Sequence, residues 1–227
     1  EIAALRKQYG LGQPIYVQYG KWVWGMLHGN FGRSFRWNAP VADLIWGRLG
    51  LTVLISFFTL IFTWIVAFPV GIYSAVRQYS IGDYIATALG FLGAATPNFL
   101  LALVLMVGTY IYFGESVSGL FSPDFVDAPW SWARFVDLLK HVWVPVVVLG
   151  TSGTAYLIRI MRANLLDELE KPYVTTARAK GQTEFKTLMR YPVRAALNPF
   201  VSTVGWSLAQ LVSGSMIVAV VLNLPTT

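Results

Sequence analysis

Four long stretches without a charged side chain constrain the fold of this chain more than any other feature. They lie between Arg48 and Arg77 (28 residues), between Asp83 and Glu115 (31), between Lys140 and Arg159 (18), and after Arg194 (33). A helix needs about 20 residues to cross roughly 30 Å of hydrocarbon, whereas the core helices of a soluble protein are shorter and amphipathic. The sequence therefore predicts an all-α, polytopic membrane protein with helices at about 50–76, 85–113, 142–161 and 200–222.

Composition agrees with a lipid environment. Only 12% of the residues are charged, about half the fraction of an average soluble domain. The net charge of +6 and the nine tryptophans fit orientation in a membrane better than binding to nucleic acid. The chain has no cysteine, and His28 and His141 are isolated, so the sequence predicts neither disulfides nor a metal site.

The distribution of lysine and arginine predicts which loops are cytoplasmic. Residues 159–194 contain eight of them, whereas residues 114–141 contain two against four acidic residues. We therefore expect the first interval inside and the second outside, with 77–84 also inside. Segment 1–49 contains six basic residues, which argues against placing it outside. However, the preference of basic residues for the cytoplasmic side weakens in long segments, and this one is close to that length.

These assignments give a domain organisation. We expect residues 1–49 to form an external segment, which is periplasmic if the resemblance described below holds, and residues 50–227 a transmembrane domain, in which 162–199 is a cytoplasmic loop. Pro69, Pro97 and Pro145 lie within predicted spans. Each lacks a backbone donor and is expected to kink its helix.

Catalytic and nucleotide-binding patterns are missing from the sequence. Gly20-Lys21 is followed by Trp22, so it does not form a phosphate-binding loop. No nucleophile motif and no pair of catalytic carboxylates occurs, and we expect no catalytic residue and no bound cofactor. The spans also lack Asp, Glu, Lys and Arg, which disfavours an ion-coupled carrier. An energy source should then come from a partner.

The cytoplasmic interval predicts two short helices separated by a glycine. Pro172 can open the first helix, and Gly181 suits the position where a positive φ ends it. Thr183 can cap the second helix, Glu184–Tyr191, with Glu184 in its favourable first turn. The second helix would expose Phe185, Leu188 and Met189 among charges. These residues alone leave two interpretations open: an amphipathic segment on lipid headgroups or a projection that fits a groove in a partner.

Four polar residues within the spans are candidates for lining a transport pathway. Helix–helix hydrogen bonding is the alternative role for such residues. A stripe of small residues at four-residue spacing, Gly205, Ala209 and Ser213, should let another helix approach the last span closely. The pathway candidates are Thr96, Asn98, Gln210 and Ser213.

The cytoplasmic interval resembles the Glu-Ala-Ala-x-x-x-Gly loop of permeases in binding-protein-dependent ABC importers, and especially of the oligopeptide/dipeptide/nickel permease family. Thr175-Thr-Ala-Arg-Ala-Lys-Gly181 occupies this motif, with Thr175 in place of the acidic residue, and Leu197-Asn-Pro199 matches its end. Other segments resemble the permease subunit of this family that has the larger external loop, and together they extend over nearly the whole chain. These segments are Tyr9–Tyr19, Leu27–Ser34 (where Asn30 replaces an aspartate), Ala94–Phe99 and Val221–Pro225.

The resemblance implies a type I ABC importer subunit that forms half of a translocation pathway. Its partners would be a paralogous permease in a heterodimer, two P-loop ATPases that bind ATP and Mg, and a periplasmic or lipid-anchored solute-binding protein. Four of six expected spans would be present, with one before Glu1 and one after Thr227. The residues implied in ATPase coupling are Ala177, Gly181, Thr183, Glu184, Phe185, Lys186, Leu188 and Met189.

Two further expectations concern location and substrate. The resemblance implies the cytoplasmic (inner) membrane of a bacterium or archaeon. Peptides are the leading substrate class, while nickel chelates and oligosaccharides stay open because selection rests largely with the binding protein. The alternative function is an ion-coupled secondary transporter or another polytopic membrane protein that is not part of an ABC system.

Overall fold

The computed structural model describes residues 12–114, 118–126, 128–214 and 216–224, and these residues are mostly helical. The described residues form two compact units divided between Gly50 and Leu51. The helices are α1 (Ile15–Leu27), α2 (Val41–Val76), α3 (Ile81–Ala95), α4 (Asn98–Phe113), α5 (Trp132–Leu169), α6 (Pro172–Ala179), α7 (Glu184–Arg190), α8 (Pro192–Ala196), α9 (Asn198–Gly214) and α10 (Met216–Val221). A short 3₁₀ helix covers Pro123–Phe125.

The first unit contains α1 and a small antiparallel hairpin. Its strands are β1 (Arg33–Ser34) and β2 (Ala39–Pro40), with Arg33 opposite Pro40. The Arg48 guanidinium lies 5.0 Å from the Trp37 ring centroid, within the range of a cation–π contact. Residues 9–11 of the N-terminal motif and Pro225 of the C-terminal motif lie outside the described residues.

The second unit has the inverted packing pattern expected of a membrane protein. The buried face of α2 carries small and hydroxyl side chains, whereas large apolar side chains such as Phe57 and Ile65 are exposed. Small residues let helices approach closely where lipid supplies no hydrophobic driving force between them. The buried face consists of Thr52, Ile55, Ser56, Thr59, Thr63, Ala67, Gly71, Ser74 and Ala75.

Two clusters of buried apolar side chains lie toward opposite ends of α2 and α5. Ile55 of α2 belongs to a cluster with Leu138 and Val142 of α5, which we name the far-end cluster. Ala67 and Ala75 belong to a second cluster with Met161 and Leu165, which we name the coupling-end cluster. Both helices therefore run in the same direction, as the predicted alternation of spans across the membrane requires.

Among the described residues, three helices are long and apolar enough to cross a membrane: Val41–Val76, Trp132–Leu169 and Asn198–Val221. The first two extend well beyond the predicted 50–76 and 142–161, with Pro69 and Pro145 inside them. Helix α5 in particular continues through residues 162–169, which the sequence had assigned to the cytoplasmic loop. This part of the interval is therefore helical and packs through residues such as Leu165, while its cytoplasmic location stays a prediction.

The predicted span at 85–113 is broken in the middle. Helices α3 and α4 meet at an angle of 102°, so the kink expected at Pro97 is a complete break. Thr96 has φ −80° and ψ 120°, the extended conformation that a following proline favours. The pair passes the length and apolarity criteria as a fourth, bent span.

Helices α2 and α5 approach closely at Gly71. A methyl group at Gly71 would lie 2.6 Å from Met161 Cβ and 3.1 Å from the Ile158 carbonyl oxygen. The first distance is shorter than Cβ atoms tolerate, and neither atom is the end of a flexible side chain. The absence of a side chain at Gly71 therefore sets the separation of the two helices.

We expect Gly71→Ala to destabilise the protein by about 1–3 kcal/mol, because the added methyl overpacks the interface. The measurement is the thermal unfolding midpoint of the purified protein in detergent. Gly108→Ala in α4 is the matched control, since a methyl there meets nothing within 4 Å and alanine is the better helix former. Equal midpoints for Gly71→Ala and the wild type would contradict the proposed role of this contact.

Candidate functional site

The segment 172–196, which we name the coupling segment, contains α6, α7 and α8. Helix α6 ends in a Schellman motif: Gly181 N–H donates to the Arg178 carbonyl and Gln182 N–H donates to the Ala177 carbonyl (2.9 and 3.3 Å). Gly181 has φ +75°, as its predicted position required. Ala177 is buried. These contacts fix the bend between α6 and α7.

An ion pair spans the same bend. The Arg178 guanidinium donates through Nε to Glu184 Oε1 at 3.0 Å and through Nη2 to Oε2 at 3.2 Å. Both side chains are substantially exposed, so the pair is worth only about 0.2–1 kcal/mol. Its two-point geometry nevertheless holds α7 against the end of α6. Glu184 thus has a partner within the chain itself.

Helix α7 presents an apolar face outward. Phe185 is 75% exposed and Met189 40%, and their four-residue spacing places them on one face. Lys186 and Arg190 are exposed on the same short helix. The arrangement suits a partner surface with an apolar pocket and acidic edges.

Leu188 of α7 and Thr183, which precedes the helix, differ from the sequence predictions. Leu188 is half-buried and packs against the coupling-end cluster, so its predicted exposure is wrong. Leu188 lies between the exposed Phe185–Met189 face and the buried Thr187, at the edge where the helix meets this cluster. Thr183 is the N-cap residue, but its side chain makes no cap hydrogen bond. The helix also ends at Arg190, one residue earlier than predicted.

The coupling segment is anchored to the membrane helices through the coupling-end cluster. Val193 and Ala196 of α8, together with Phe200 at the start of α9, are buried there with Met161 and Leu165 of α5. The Phe200 ring also packs edge-on against Phe68 of α2, with centroids 5.0 Å apart. The coupling segment is therefore connected to α2, α5 and α9 through close-packed side chains.

A hydrogen bond ties the start of the coupling segment to the end of α5. The Tyr173 hydroxyl donates to Glu168 Oε2. Burial, and then the hydrogen bond and negative charge of Glu168, raise the pKa of Tyr173 to about 12. The hydroxyl therefore remains protonated and donates at physiological pH.

A cavity of about 300 Å³ is bordered by α2, α4, α5 and α9. Asn98 and Gln210, two of the predicted pathway residues, line it together. No Asp, Glu, Lys or Arg is among its lining residues, and it offers hydroxyl and amide groups instead. The other lining residues are Leu60, Thr63, Leu149, Ser152, Gly153, Tyr156, Leu157, Trp206, Ser207 and Leu211.

The other two pathway candidates do not line this cavity. The Thr96 hydroxyl donates to the Leu92 carbonyl of its own helix at 2.7 Å, and Ser213 is exposed on α9. Sequence analysis missed Thr63, Ser152, Tyr156 and Ser207, although all are polar groups inside predicted spans. Only a helix-by-helix search for inward-facing hydroxyls could have suggested them.

A larger cavity, of about 540 Å³, lies between α2, α3 and α5. Its lining is almost wholly apolar and includes Phe62, Val66, Leu89 and Ile158. A hydrated polar solute would lose hydrogen bonds there without replacement. The smaller cavity is therefore the better candidate for a transport pathway.

Comparison with known proteins decides the family. The model of the family "Binding-protein-dependent transport system inner membrane component" matches residues 67–226. The chain belongs to this family.

Relatives of this inner membrane component carry names from peptide transport. The oligopeptide transport system permease protein AppB of Bacillus subtilis is 36% identical over 96% of this chain and 68% of its own length. The dipeptide transport system permease protein DppB of Escherichia coli (strain K12) is 30% identical over 98% of this chain and 70% of its own length.

Family membership confirms several predictions. The chain is a multi-pass membrane permease with the type I ABC importer fold, and it is a transport subunit without catalytic activity, because ATP hydrolysis lies in separate subunits. It works with ATPase and solute-binding partners. The alternatives of a secondary transporter and of a polytopic protein unrelated to ABC systems are thereby removed.

We expect Gly181→Val to reduce uptake by this permease at least tenfold, because a β-branched residue at positive φ costs about 1–2 kcal/mol or more and distorts the bend. Gly181→Asn is the matched control, since asparagine tolerates this conformation and should retain most uptake. The measurement is substrate uptake at equal membrane levels of each variant. Equal uptake by the valine and asparagine variants would contradict the role assigned to the bend.

Proposed function

We propose that this chain is one of two paralogous permease subunits of an ATP-driven importer of peptides. We infer peptides as the substrate class from the 36% identity to an oligopeptide permease over 96% of the chain. The fold and the neutral, amide-bearing cavity are compatible with it, because backbone amides are common to all peptides. Nickel chelates and oligosaccharides are the competing classes.

In this proposal the coupling segment docks into a groove of a P-loop ATPase. Phe185 and Met189 enter an apolar pocket, and Lys186 contacts its acidic rim. Ala177, Gly181 and the Arg178–Glu184 ion pair hold the docking helix at a fixed angle to α6. Thr183 begins this helix, and Leu188 joins it to the coupling-end cluster. Closure of the two ATPases on ATP and Mg would then move the segment as a rigid lever.

The cavity lined by Asn98 and Gln210 supplies this subunit's half of the pathway. Its residues come from the central parts of the predicted spans, which supports a depth near the middle of the membrane. Uncharged amides and hydroxyls can exchange hydrogen bonds with a passing peptide without holding it tightly. The second permease would supply the other half of the pathway.

The remaining partners follow from the same proposal. The second permease would pack against α9, whose stripe Gly205, Ala209 and Ser213 is exposed. Two ATPases would bind at the coupling end, and a periplasmic or lipid-anchored binding protein at the opposite face. The membrane would be the inner membrane of a bacterium or archaeon.

The proposed substrate class is tested in proteoliposomes that contain the complete transporter with its two ATPases and its binding protein. We expect ATP-dependent uptake of a radiolabelled tripeptide, and no comparable uptake of a labelled oligosaccharide or nickel chelate. Omission of ATP or of the binding protein should abolish uptake. Uptake of the nickel chelate or the oligosaccharide in preference to the peptide would overturn the substrate assignment.

We expect Gln210→Leu to lower peptide uptake about tenfold in the same system, because leucine fills similar space but offers no hydrogen bond within the cavity. The matched control is Ser213→Ala, one turn further along α9 and outside the cavity lining, which should transport normally. Normal uptake by Gln210→Leu, or an equal defect in both variants, would contradict the pathway assignment.

We expect Phe185→Ala to weaken ATPase binding about tenfold or more, since a buried phenylalanine contributes roughly 1.5–3 kcal/mol. The measurement is recovery of the ATPase in co-purification together with a dissociation constant. Phe57→Ala is the control, because Phe57 is likewise exposed, at 55%, but lies on a membrane span. Unchanged ATPase recovery with Phe185→Ala would exclude this docking contact.

A further inference from the structure

An ion pair between a partly exposed arginine and a buried aspartate joins the start of α3 to the last part of α5. The Arg162 guanidinium donates through Nε to Asp83 Oδ1 and through Nη2 to Asp83 Oδ2, each at 3.1 Å. Asp83 is 3% exposed. Two parallel hydrogen bonds between ionised groups fix orientation as well as distance, so the two helices are held in one relative position here.

Asp83 also organises the turn that precedes α3. Its Oδ2 accepts a hydrogen bond from Tyr79 N–H at 3.0 Å, and its own N–H donates to the Ser80 hydroxyl at 3.2 Å. Tyr79 has φ +59°, a conformation uncommon for a tyrosine. One carboxylate therefore fixes the connection from α2, the first turn of α3 and the position of α5.

Arg162 lies beside the residues that anchor the coupling segment. Its neighbour Met161 and the next-turn residue Leu165 are fully buried in the coupling-end cluster, where Val193, Ala196 and Leu188 also pack. A movement of the coupling segment that reaches α5 must therefore carry Arg162 with it.

The other end of α3 leads to the polar cavity. Helix α3 ends at Ala95, the backbone breaks at Thr96–Pro97, and α4 begins at Asn98, which lines the cavity. Arg159, one turn before Arg162, also contacts α3, with its guanidinium 5.1 Å from the Phe91 ring centroid. A helix that is held rigidly at Asp83 transmits displacement along its length to the break.

We propose that the Asp83–Arg162 ion pair is the link through which movement of the coupling segment reaches the broken span and repositions Asn98 in the pathway. Asp83 and Arg162 are then positioning residues for transport, without contact with ATP or substrate. This inference rests on the proposed function, because it presumes that the coupling segment receives the ATPase movement.

The test compares ATP hydrolysis with peptide uptake in proteoliposomes that contain the complete transporter. Asp83→Asn retains an oxygen for Tyr79 N–H but removes the charge that pairs with Arg162. We expect hydrolysis within about twofold of the wild-type rate and uptake reduced at least tenfold, so that at least five times more ATP is hydrolysed per peptide. Arg162→Lys, which keeps the charge but cannot make both hydrogen bonds, should give an intermediate ratio.

Two controls separate this role from simple stabilisation. Ser80→Ala removes the cap on the same turn but leaves the ion pair, and Arg77→Gln removes an exposed positive charge at the same end of the helices. Both should retain the wild-type ratio of ATP to peptide. An unchanged ratio in Asp83→Asn, or an equal loss of hydrolysis and uptake, would overturn the proposal, because a purely structural role lowers both together.

A distance measurement tests the link without relying on the substrate. Because the chain has no cysteine, spin labels can be attached through Thr175→Cys on α6 and Tyr84→Cys on α3, both exposed positions. With Asp83 present, we expect the distance between the two labels to show one narrow distribution, both with and without ATP. In Asp83→Asn we expect this distribution to become broad or shifted when ATP is added. Identical distributions in the two proteins would overturn the link. If the wild-type transporter took up no peptide, that result would contradict only the proposed function.

Discussion

The close contact between α2 and α5 is the constraint on which the rest of the membrane unit depends. Lipid is as apolar as the side chains that face it, so the helices gain little by hiding large apolar residues and associate through close packing instead. Gly71 lies against Met161, and Gly150 lies against Phe62 and Thr63. With these two helices fixed in parallel, the far-end cluster, the coupling-end cluster and the polar cavity all acquire defined positions along them.

The described charged groups of the membrane unit are most numerous at the coupling end. At the coupling end, the exposed pair Arg178–Glu184 spans the bend and the partly buried pair Asp83–Arg162 joins α3 to α5. The cavity, by contrast, is lined by neutral groups. The cavity lining therefore has no charge that would bind an opposite charge tightly or repel a like one.

Sequence analysis succeeded where a local rule applies. Gly181 ends α6 at a positive φ because the Schellman motif requires it, and Pro97 breaks the bent span because it removes a donor and favours an extended Thr96. Predictions from sequence were wrong or missing where the outcome depended on residues far apart in the chain. Leu188 looks like an exposed residue of a short charged helix, yet it packs on a cluster drawn from α2, α5, α8 and α9. The Asp83–Arg162 pair joins residues 79 positions apart, and no local pattern connects them.

The sequence by itself determined the number and approximate location of the apolar helices, the bend of the coupling segment and the family resemblance that the comparisons confirmed. These features depend on charge placement, on backbone conformation at glycine and proline, and on contiguous motifs, all of which can be read along the chain. Only the tertiary structure decided which polar side chains meet in the cavity, which face of α7 is free and which carboxylate holds Arg162. Those outcomes depend on how helices rotate and approach one another, and that is set by packing between residues far apart in the sequence.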